Sequence, residues 1–276
     1  MQNSLGYNKK LFILPFDHRS SFAKMFGFVN LSKEEKDYIA FAKQIIYSAF
    51  KKAVSETVPK KQAAILVDEE YGDTILRDAI SQGFITILNT EKSGNPTFDF
   101  EYEEEFVSHI EKYKPTFVKA LIRYKPHADW AKLKMLSDYC HEHGYKLLLE
   151  ILSGENILNA QDVINIIEEL RRSGIEPDVW KLEGMEKRND YETLVEKIKE
   201  GERTNVGLVI LGRGENREKV EHWINAGKNV EGVIGFAVGR TVFSIPLVKY
   251  KDGKIGKDQV IENISDNFQH FYKLFT

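Results

Sequence analysis

The sequence predicts one (β/α)8 barrel spanning residues 1–276, and three observations carry that prediction. Eight short apolar runs recur at roughly 30-residue intervals, amphipathic charged segments separate them, and no Pro- or Ser-rich linker interrupts the alternation. Strand and helix in regular alternation call for a parallel sheet with crossover helices, and strands apolar throughout are buried on both faces, as in a closed barrel. A chain of 276 residues has the size of such a barrel, typically ~250 residues. The other architecture with this alternation is a doubly wound open sheet. Its dinucleotide-binding form carries Gly-x-Gly-x-x-Gly after the first strand, where this chain has Asp17-His18-Arg19.

The predicted strands are Leu11–Phe16, Ala63–Asp68, Phe84–Asn89, Phe117–Tyr124, Lys146–Leu152, Val179–Glu183, Val206–Leu211 and Gly232–Val238. Ser32 with Glu35 three residues on has capping-box spacing and opens a helix to about Thr57. Asp73 is placed to cap Thr74–Ser81. Helices over Ala128–His143, Asp162–Ser173 and Asn216–Ala226 stop at Gly144, Gly174 and Gly227, where a glycine C-cap is expected.

Composition narrows the function classes. The formal charge of −3 gives no general pull toward nucleic acid or an acidic membrane, and the lysine pairs at 51–52 and 60–61 read as solvated helix faces. Cys140 is the sole cysteine, so no intramolecular disulfide forms, and its helical setting reads as a structural thiol. The polar start of the chain lacks a signal-peptide core, and no apolar run approaches the ~20 residues of a membrane span. A cytoplasmic location is expected.

In a barrel the active site lies at the C-terminal ends of the strands. Read there, the chain delivers Asp17, His18 and Arg19, then Asp68, Glu69 and Glu70, then Glu91 and Lys92. Lys119 and Arg123 follow on strand four, Glu150 on strand five, and Lys181 with Glu183 on strand six. Alternate residues of a strand share a face, so Lys181 and Glu183 point together. Desolvating an ammonium group costs several kcal/mol or shifts its pKa. Lysines inside two apolar strands therefore point to a common cavity and to a neutral amine acting as nucleophile. Lysine must first lose a proton from a group whose ordinary pKa is ~10.4; burial and a neighbouring cation both assist, so Lys119 could depress Lys181 or the reverse. Attack on a ketone gives a carbinolamine and then an iminium ion, with Glu150 shuttling protons.

The last two strands end in Gly212-Arg213-Gly214 and Gly239-Arg240-Thr241. Glycine permits close backbone approach, arginine supplies a bidentate fork, and barrels often bind phosphate at these two positions. A phosphorylated ligand is expected.

A zinc site lacks its histidines: His141 and His143 lie two apart on a helix, and only His18, with His127 beyond another strand, sits near a strand end. Neither metal nor organic cofactor is therefore predicted. A magnesium site from Asp17, Asp68, Glu69, Glu91, Glu150 or Glu183 is the competing chemistry, and a catalytically silent sugar-phosphate-binding barrel is the reading from another class.

Three motifs carry a family resemblance: Leu14-Pro15-Phe16-Asp17-His18-Arg19, Trp180-Lys181-Leu182-Glu183 and Gly235-Phe236-Ala237-Val238-Gly239-Arg240-Thr241. With them the chain resembles, in order and over essentially its whole length, the class I aldolase-like barrels that include the C-terminal domain of bacterial 5-dehydro-2-deoxygluconokinase, from inositol catabolism. It is more distantly similar to tagatose-bisphosphate aldolases. The resemblance implies a Schiff base on Lys181 with Lys119 as its partner, Glu150 as acid/base, Gly239 and Arg240 in a phosphate site, and Asp17 and Arg19 on substrate. The implied enzyme cleaves a phosphorylated ketose or keto-sugar acid to a ketone phosphate and an aldehyde, with 2-deoxy-5-keto-gluconate 6-phosphate as the leading substrate. Two departures bear on the substrate: His18 stands where the tagatose enzymes carry glutamine, and strand seven ends in Gly-Arg-Gly rather than Ser-Ala-Gly. Barrels of this kind associate through their outer helices, which makes a homo-oligomer an expectation as well.

Overall fold

The computed structural model describes residues 5–95, 97–125, 128–152 and 158–276. Eight parallel strands close into a barrel in sequence order. They are β1 (Leu11–Pro15), β2 (Ala63–Val67), β3 (Ile85–Asn89), β4 (Phe117–Arg123), β5 (Lys146–Leu152), β6 (Val179–Glu183), β7 (Gly207–Leu211) and β8 (Val233–Ala237). Each lies within a residue or two of its predicted run. The apolar runs are the strands because both of their faces are buried.

One face of each strand points into the lumen, where Leu11, Ile13, Leu66, Ile87, Phe117, Leu148, Val179 and Val209 form a cluster separate from the main core. The other face meets the helices in a much larger cluster that includes Phe12, Ile65, Trp180, Ile210 and Phe236. At the N-terminal mouth Tyr7 packs edge-on against Phe117. Asp178, fully buried just before β6, accepts from the Gly6 and Leu147 amides and from Lys146, and faces His141. His141 thus belongs to the barrel floor, opposite the predicted site.

The helices are α1 (Ser20–Met25), α2 (Lys33–Glu56), α3 (Glu69–Ser81), α4 (Phe106–Tyr113), α5 (Ala131–His143), α6 (Ala160–Arg172), α7 (Arg188–Lys199), α8 (Arg217–Gly227), α9 (Arg240–Lys251) and α10 (Lys257–Phe275). Among the described residues no helix is long and apolar enough to cross a membrane. The Ser32–Glu35 capping box forms as expected. Helix α3 begins earlier than predicted: Asp68, not Asp73, caps it by accepting from the Tyr71 amide, and Asp73 lies inside the helix bonded to Arg77 and Tyr113. Gly144 and Gly174 take left-handed backbone just beyond α5 and α6, whereas Gly227 is the last residue of α8 itself.

Gly235 has a packing reason of its own. A Cβ there would lie 1.9 Å from the Leu11 carbonyl oxygen on neighbouring β1. Gly235→Ala is therefore expected to force β1 and β8 apart and to lower the unfolding free energy by at least about 1–3 kcal/mol, the usual range for overpacking. Urea unfolding that gave the variant wild-type stability would mean the strands yield there at no cost.

Candidate active site

The period of two along each strand builds the site. Two residues beyond a lumen-facing apolar side chain comes a polar one: Ile87 leads to Asn89 and then Glu91, Phe117 to Lys119, Leu148 to Glu150, and Val179 to Lys181. All of these polar residues line one cavity of about 320 Å³ at the C-terminal mouth, together with Asp17, His18, Arg19, Arg123, Gly212, Arg213, Gly214, Gly239 and Arg240. The residues expected to act on the ketone or to hold substrate and phosphate are on that wall; Asp68, Glu69, Glu70 and Glu183, read at the same strand ends, are not. Strand pairing sets Glu150 directly beside Lys181.

The charges are arranged around Lys119, only 1% exposed. Its ammonium bonds Glu91 and lies 3.1 Å from both Asp17 Oδ2 and Glu150 Oε2. Glu150 Oε2 also accepts from Lys181 Nζ at 2.8 Å. Burial alone would favour a neutral Lys119 amine. The carboxylates of Glu91, Asp17 and Glu150 outweigh it and hold the pKa above the ordinary lysine value. Burial likewise works to raise Glu150 and Asp17, yet lysine cations hold both below the usual carboxylate range. Glu91 goes the other way: burial raises it against the pull of Lys119, with Asp17 and Glu150 adding to the push. Lys119 is thus a fixed cation, whereas Lys181 shares a single carboxylate with it.

Burial lowers the His18 imidazole to about 4, helped by Arg240 and Lys181 and opposed by Asp17. Folding then favours the neutral ring. Stability from this source is complete above the ordinary value near 6.5 and is lost as pH falls toward 4. Up to about 3 kcal/mol should disappear over that window, and His18→Asn should flatten the slope. Urea midpoints measured from pH 7 to 4 test this; equal slopes in both proteins would rule it out.

The arginines are more engaged than their sequence suggests. Arg19 lines the cavity, but its guanidinium is held 2.7 Å from the Glu101 carboxylate and donates to the Glu91 carbonyl at 2.7 Å. An antiparallel bridge between Glu91 and Phe100 folds the β3 loop back and brings Glu101 within reach. Arg213, in left-handed backbone with φ 51°, meets Glu183 at 3.3 Å, not Glu215. Arg240 opens α9 and donates to the Arg213 carbonyl, which joins the two Gly-Arg turns into one wall. Gly214 takes left-handed backbone there, with φ 81°, and a Cβ would fall 2.5 Å from the Arg240 guanidinium carbon and push that side chain aside. Gly239 packs against β1, its Cβ position being 2.2 Å from the Pro15 carbonyl oxygen.

The six carboxylates weighed for magnesium do not gather. Asp68 caps α3 and pairs with the buried Lys43, Glu69 meets His109 and Lys112, and Glu183 meets Arg213. Asp17, Glu91 and Glu150 converge on an ammonium group. Among the described residues no group of three or more His, Cys, Asp or Glu is arranged to hold a metal ion; His127 lies outside the described residues. Cys140 is buried in α5, where burial pushes its thiol up, as expected of a structural residue.

Sequence reasoning did not select Asn89. Its signal was present in the alternation Ile87, Asn89, Glu91, but a neutral amide closing a strand looks like an ordinary turn residue.

The model of a family described as "Uncharacterized protein conserved in bacteria (DUF2090)" matches residues 3–276. No curated protein matches the chain. Among solved structures, Cgl0159 from Corynebacterium glutamicum is similar at 16% identity and TM-score 0.59, covering 97% of this chain and 88% of that one. A Schiff-base-forming fructose-1,6-bisphosphate aldolase is similar at 13% identity and TM-score 0.61, covering 97% and 94%. The same figures hold for an archaeal fructose-1,6-bisphosphate aldolase whose catalytic Lys is covalently bound to the carbinolamine intermediate of its substrate. At these identities the likeness shows the fold.

Proposed function

The chain belongs to the DUF2090 family, and we propose that it is a class I aldolase acting on a phosphorylated ketose or keto-sugar acid. One observation carries this reading: Lys181, 4% exposed, projects from β6 into the mouth cavity with its Nζ 2.8 Å from the Glu150 carboxylate. A nucleophile within hydrogen-bond reach of its base, the base held by a second group, is the geometry of an activated amine. The Schiff-base formation named for one of the similar barrels and the lysine-bound carbinolamine named for another agree with it.

Glu150 takes a proton from the Lys181 ammonium, and the free amine attacks the substrate ketone. The new carbon–nitrogen bond leaves an alkoxide beside a protonated nitrogen; Glu150 gives its proton to the alkoxide and takes one from the nitrogen, forming the carbinolamine, and returning that second proton to the hydroxyl lets water leave and gives the iminium ion. That cation draws electrons from the neighbouring carbon–carbon bond. A base removes the proton of the β-hydroxyl, the bond breaks, and an aldehyde leaves behind an enamine on Lys181. Protonation of the enamine carbon and addition of water to the imine release the ketone phosphate and the free lysine. Lys119 stays charged throughout and stabilises the ionised Glu150.

The joined turns Gly212-Arg213-Gly214 and Gly239-Arg240 are the proposed phosphate wall, beside the first turn of α9. Asp17, anchored on Lys119, faces the same cavity and is a second substrate contact, while Arg19 acts by holding the β3 loop. The family resemblance names 2-deoxy-5-keto-gluconate 6-phosphate as one substrate to try.

Sodium borohydride reduction in the presence of dihydroxyacetone phosphate tests the reading, with peptide mass spectrometry to locate the adduct. A ligand-dependent adduct on Lys181, absent in Lys181→Met, is expected. No adduct with this ketone or with a panel of keto-sugar phosphates would remove the imine mechanism.

A further inference from the structure

Four buried side-chain polar atoms among the described residues have no hydrogen-bond partner: His18 Nδ1, Tyr38 Oη, Asn89 Oδ1 and Glu91 Oε2. Tyr38 sits on α2 among Phe26 and Phe28. The other three belong to residues lining the mouth cavity, and a buried acceptor is unfavourable unless a hydrogen-bond donor reaches it. His18 follows β1, next to β8, on the side of the proposed phosphate wall. Asn89 and Glu91 share one face of the β3 end, are 8% and 9% exposed, and stand elsewhere.

The topology says where. In a ring of eight strands in sequence order, β3 is four places from β7 and so lies across the barrel from it. A ketose phosphate held by its phosphate at Arg213 and Arg240, with its ketone carbon at Lys181, must extend its other half toward β3 and β4. That half is the one released as aldehyde. Among the groups that meet it there are an amide oxygen and a carboxyl oxygen, with the second Glu91 oxygen fixed on Lys119 and with Lys92 and Arg123 lining the same cavity. Two neighbouring acceptors are complementary to hydroxyl groups. They are mismatched to a methylene, which leaves them unpaired.

We infer that Asn89 and Glu91 form a hydroxyl-reading subsite, so that the aldehyde half of the substrate carries a free hydroxyl next to its carbonyl carbon. This rests on the aldolase reading and narrows it. Retro-aldol cleavage of 2-deoxy-5-keto-gluconate 6-phosphate releases a three-carbon aldehyde with a methylene at that position and a carboxylate beyond. The subsite instead favours a phosphorylated ketose with a hydroxyl on the carbon next to the one released as the aldehyde carbonyl.

The test runs the reaction toward condensation, supplying dihydroxyacetone phosphate with glycolaldehyde, acetaldehyde or malonic semialdehyde. Borohydride trapping of dihydroxyacetone phosphate on wild-type Lys181 is measured first. No adduct with it or with a panel of keto-sugar phosphates removes the aldolase reading and the subsite with it. With the adduct established, wild-type kcat/KM should favour glycolaldehyde over each other aldehyde by at least about tenfold, since a site built to bond a hydroxyl rejects analogues lacking it. Asn89→Leu should bring the glycolaldehyde-to-acetaldehyde ratio toward one, mainly through loss with glycolaldehyde. Equal or higher kcat/KM for malonic semialdehyde or acetaldehyde in wild type overturns the subsite while leaving the aldolase intact. So does trapping without condensation of any of the three, or an unchanged ratio in a folded Asn89→Leu. If that variant fails to fold by circular dichroism, the three-way wild-type comparison still decides.

Discussion

Lys181→Met is expected to lower ketose phosphate cleavage by at least about 10⁴-fold, because the covalent intermediate has no other route when its nucleophile is gone. The fold should hardly notice. Among the described residues Lys181 bonds Glu150 alone, and that carboxylate keeps a second cation, Lys119, at 3.1 Å. Removing one lysine therefore does not strand a buried charge, and methionine fills nearly the same apolar strand position. Lys181→Arg separates charge from nucleophilicity, since it preserves a cation beside Glu150 but cannot form the imine. Both variants should lose borohydride inactivation by dihydroxyacetone phosphate while melting within a few degrees of wild type. Turnover above about 1% of wild type in either, with inactivation retained, would mean that the imine forms on another residue.

Much of this site was legible before the structure because a barrel enforces two simple rules. Strands buried on both faces must be apolar for their whole length, so Ala63–Val67 or Val179–Glu183 cannot be mistaken for surface loops. Within such a strand a lysine has nowhere to snorkel, and the period of two then fixes which neighbours share its cavity. Lys119, Glu150 and Lys181 follow from those rules alone. The partners of the arginines did not follow. Arg19 finds Glu101 because the segment after β3 doubles back, and Arg213 finds Glu183 across β6 and β7; both contacts depend on loop paths that carry no periodicity. Asp68 was misassigned for a related reason. An acidic residue ending a strand is equally suited to face a cavity or to cap the next helix, and the start of α3 at Glu69 decided for the cap. The relative charge states of the two lysines were also beyond reach. Sequence placed both in one cavity, but only the count of carboxylates around each distinguishes them.

That count makes Lys119→Met the second large effect, and its signature differs from that of Lys181→Met. Three carboxylates, those of Asp17, Glu91 and Glu150, converge on the Lys119 ammonium, and only Glu150 retains another lysine when it is removed. Breaking a buried ion cluster from one side typically destabilises by about 3–5 kcal/mol, since the remaining charges stay desolvated and repel each other. The deficit should depend on pH with a definite sign. In wild type Lys119 holds Asp17, and Lys181 together with Lys119 holds Glu150, below the usual carboxylate range, a stabilisation present above about pH 4 and lost as pH falls through their lowered values. The variant lacks that contribution, and its carboxyls take up protons at higher pH. The gap between the two proteins should therefore be widest near neutrality and close on acidification, which urea unfolding at pH 7 and pH 4 can resolve. Catalysis should fall by roughly 10²–10⁴-fold, the usual worth of proton transfer by a tuned group, because a Glu150 carboxyl without Lys119 is a weaker acid and gives its proton less readily to the departing water. The borohydride adduct should still form on Lys181, only more slowly. An adduct that vanishes from Lys119→Met, and that mass spectrometry finds on Lys119 in wild type, would exchange the roles of the two lysines.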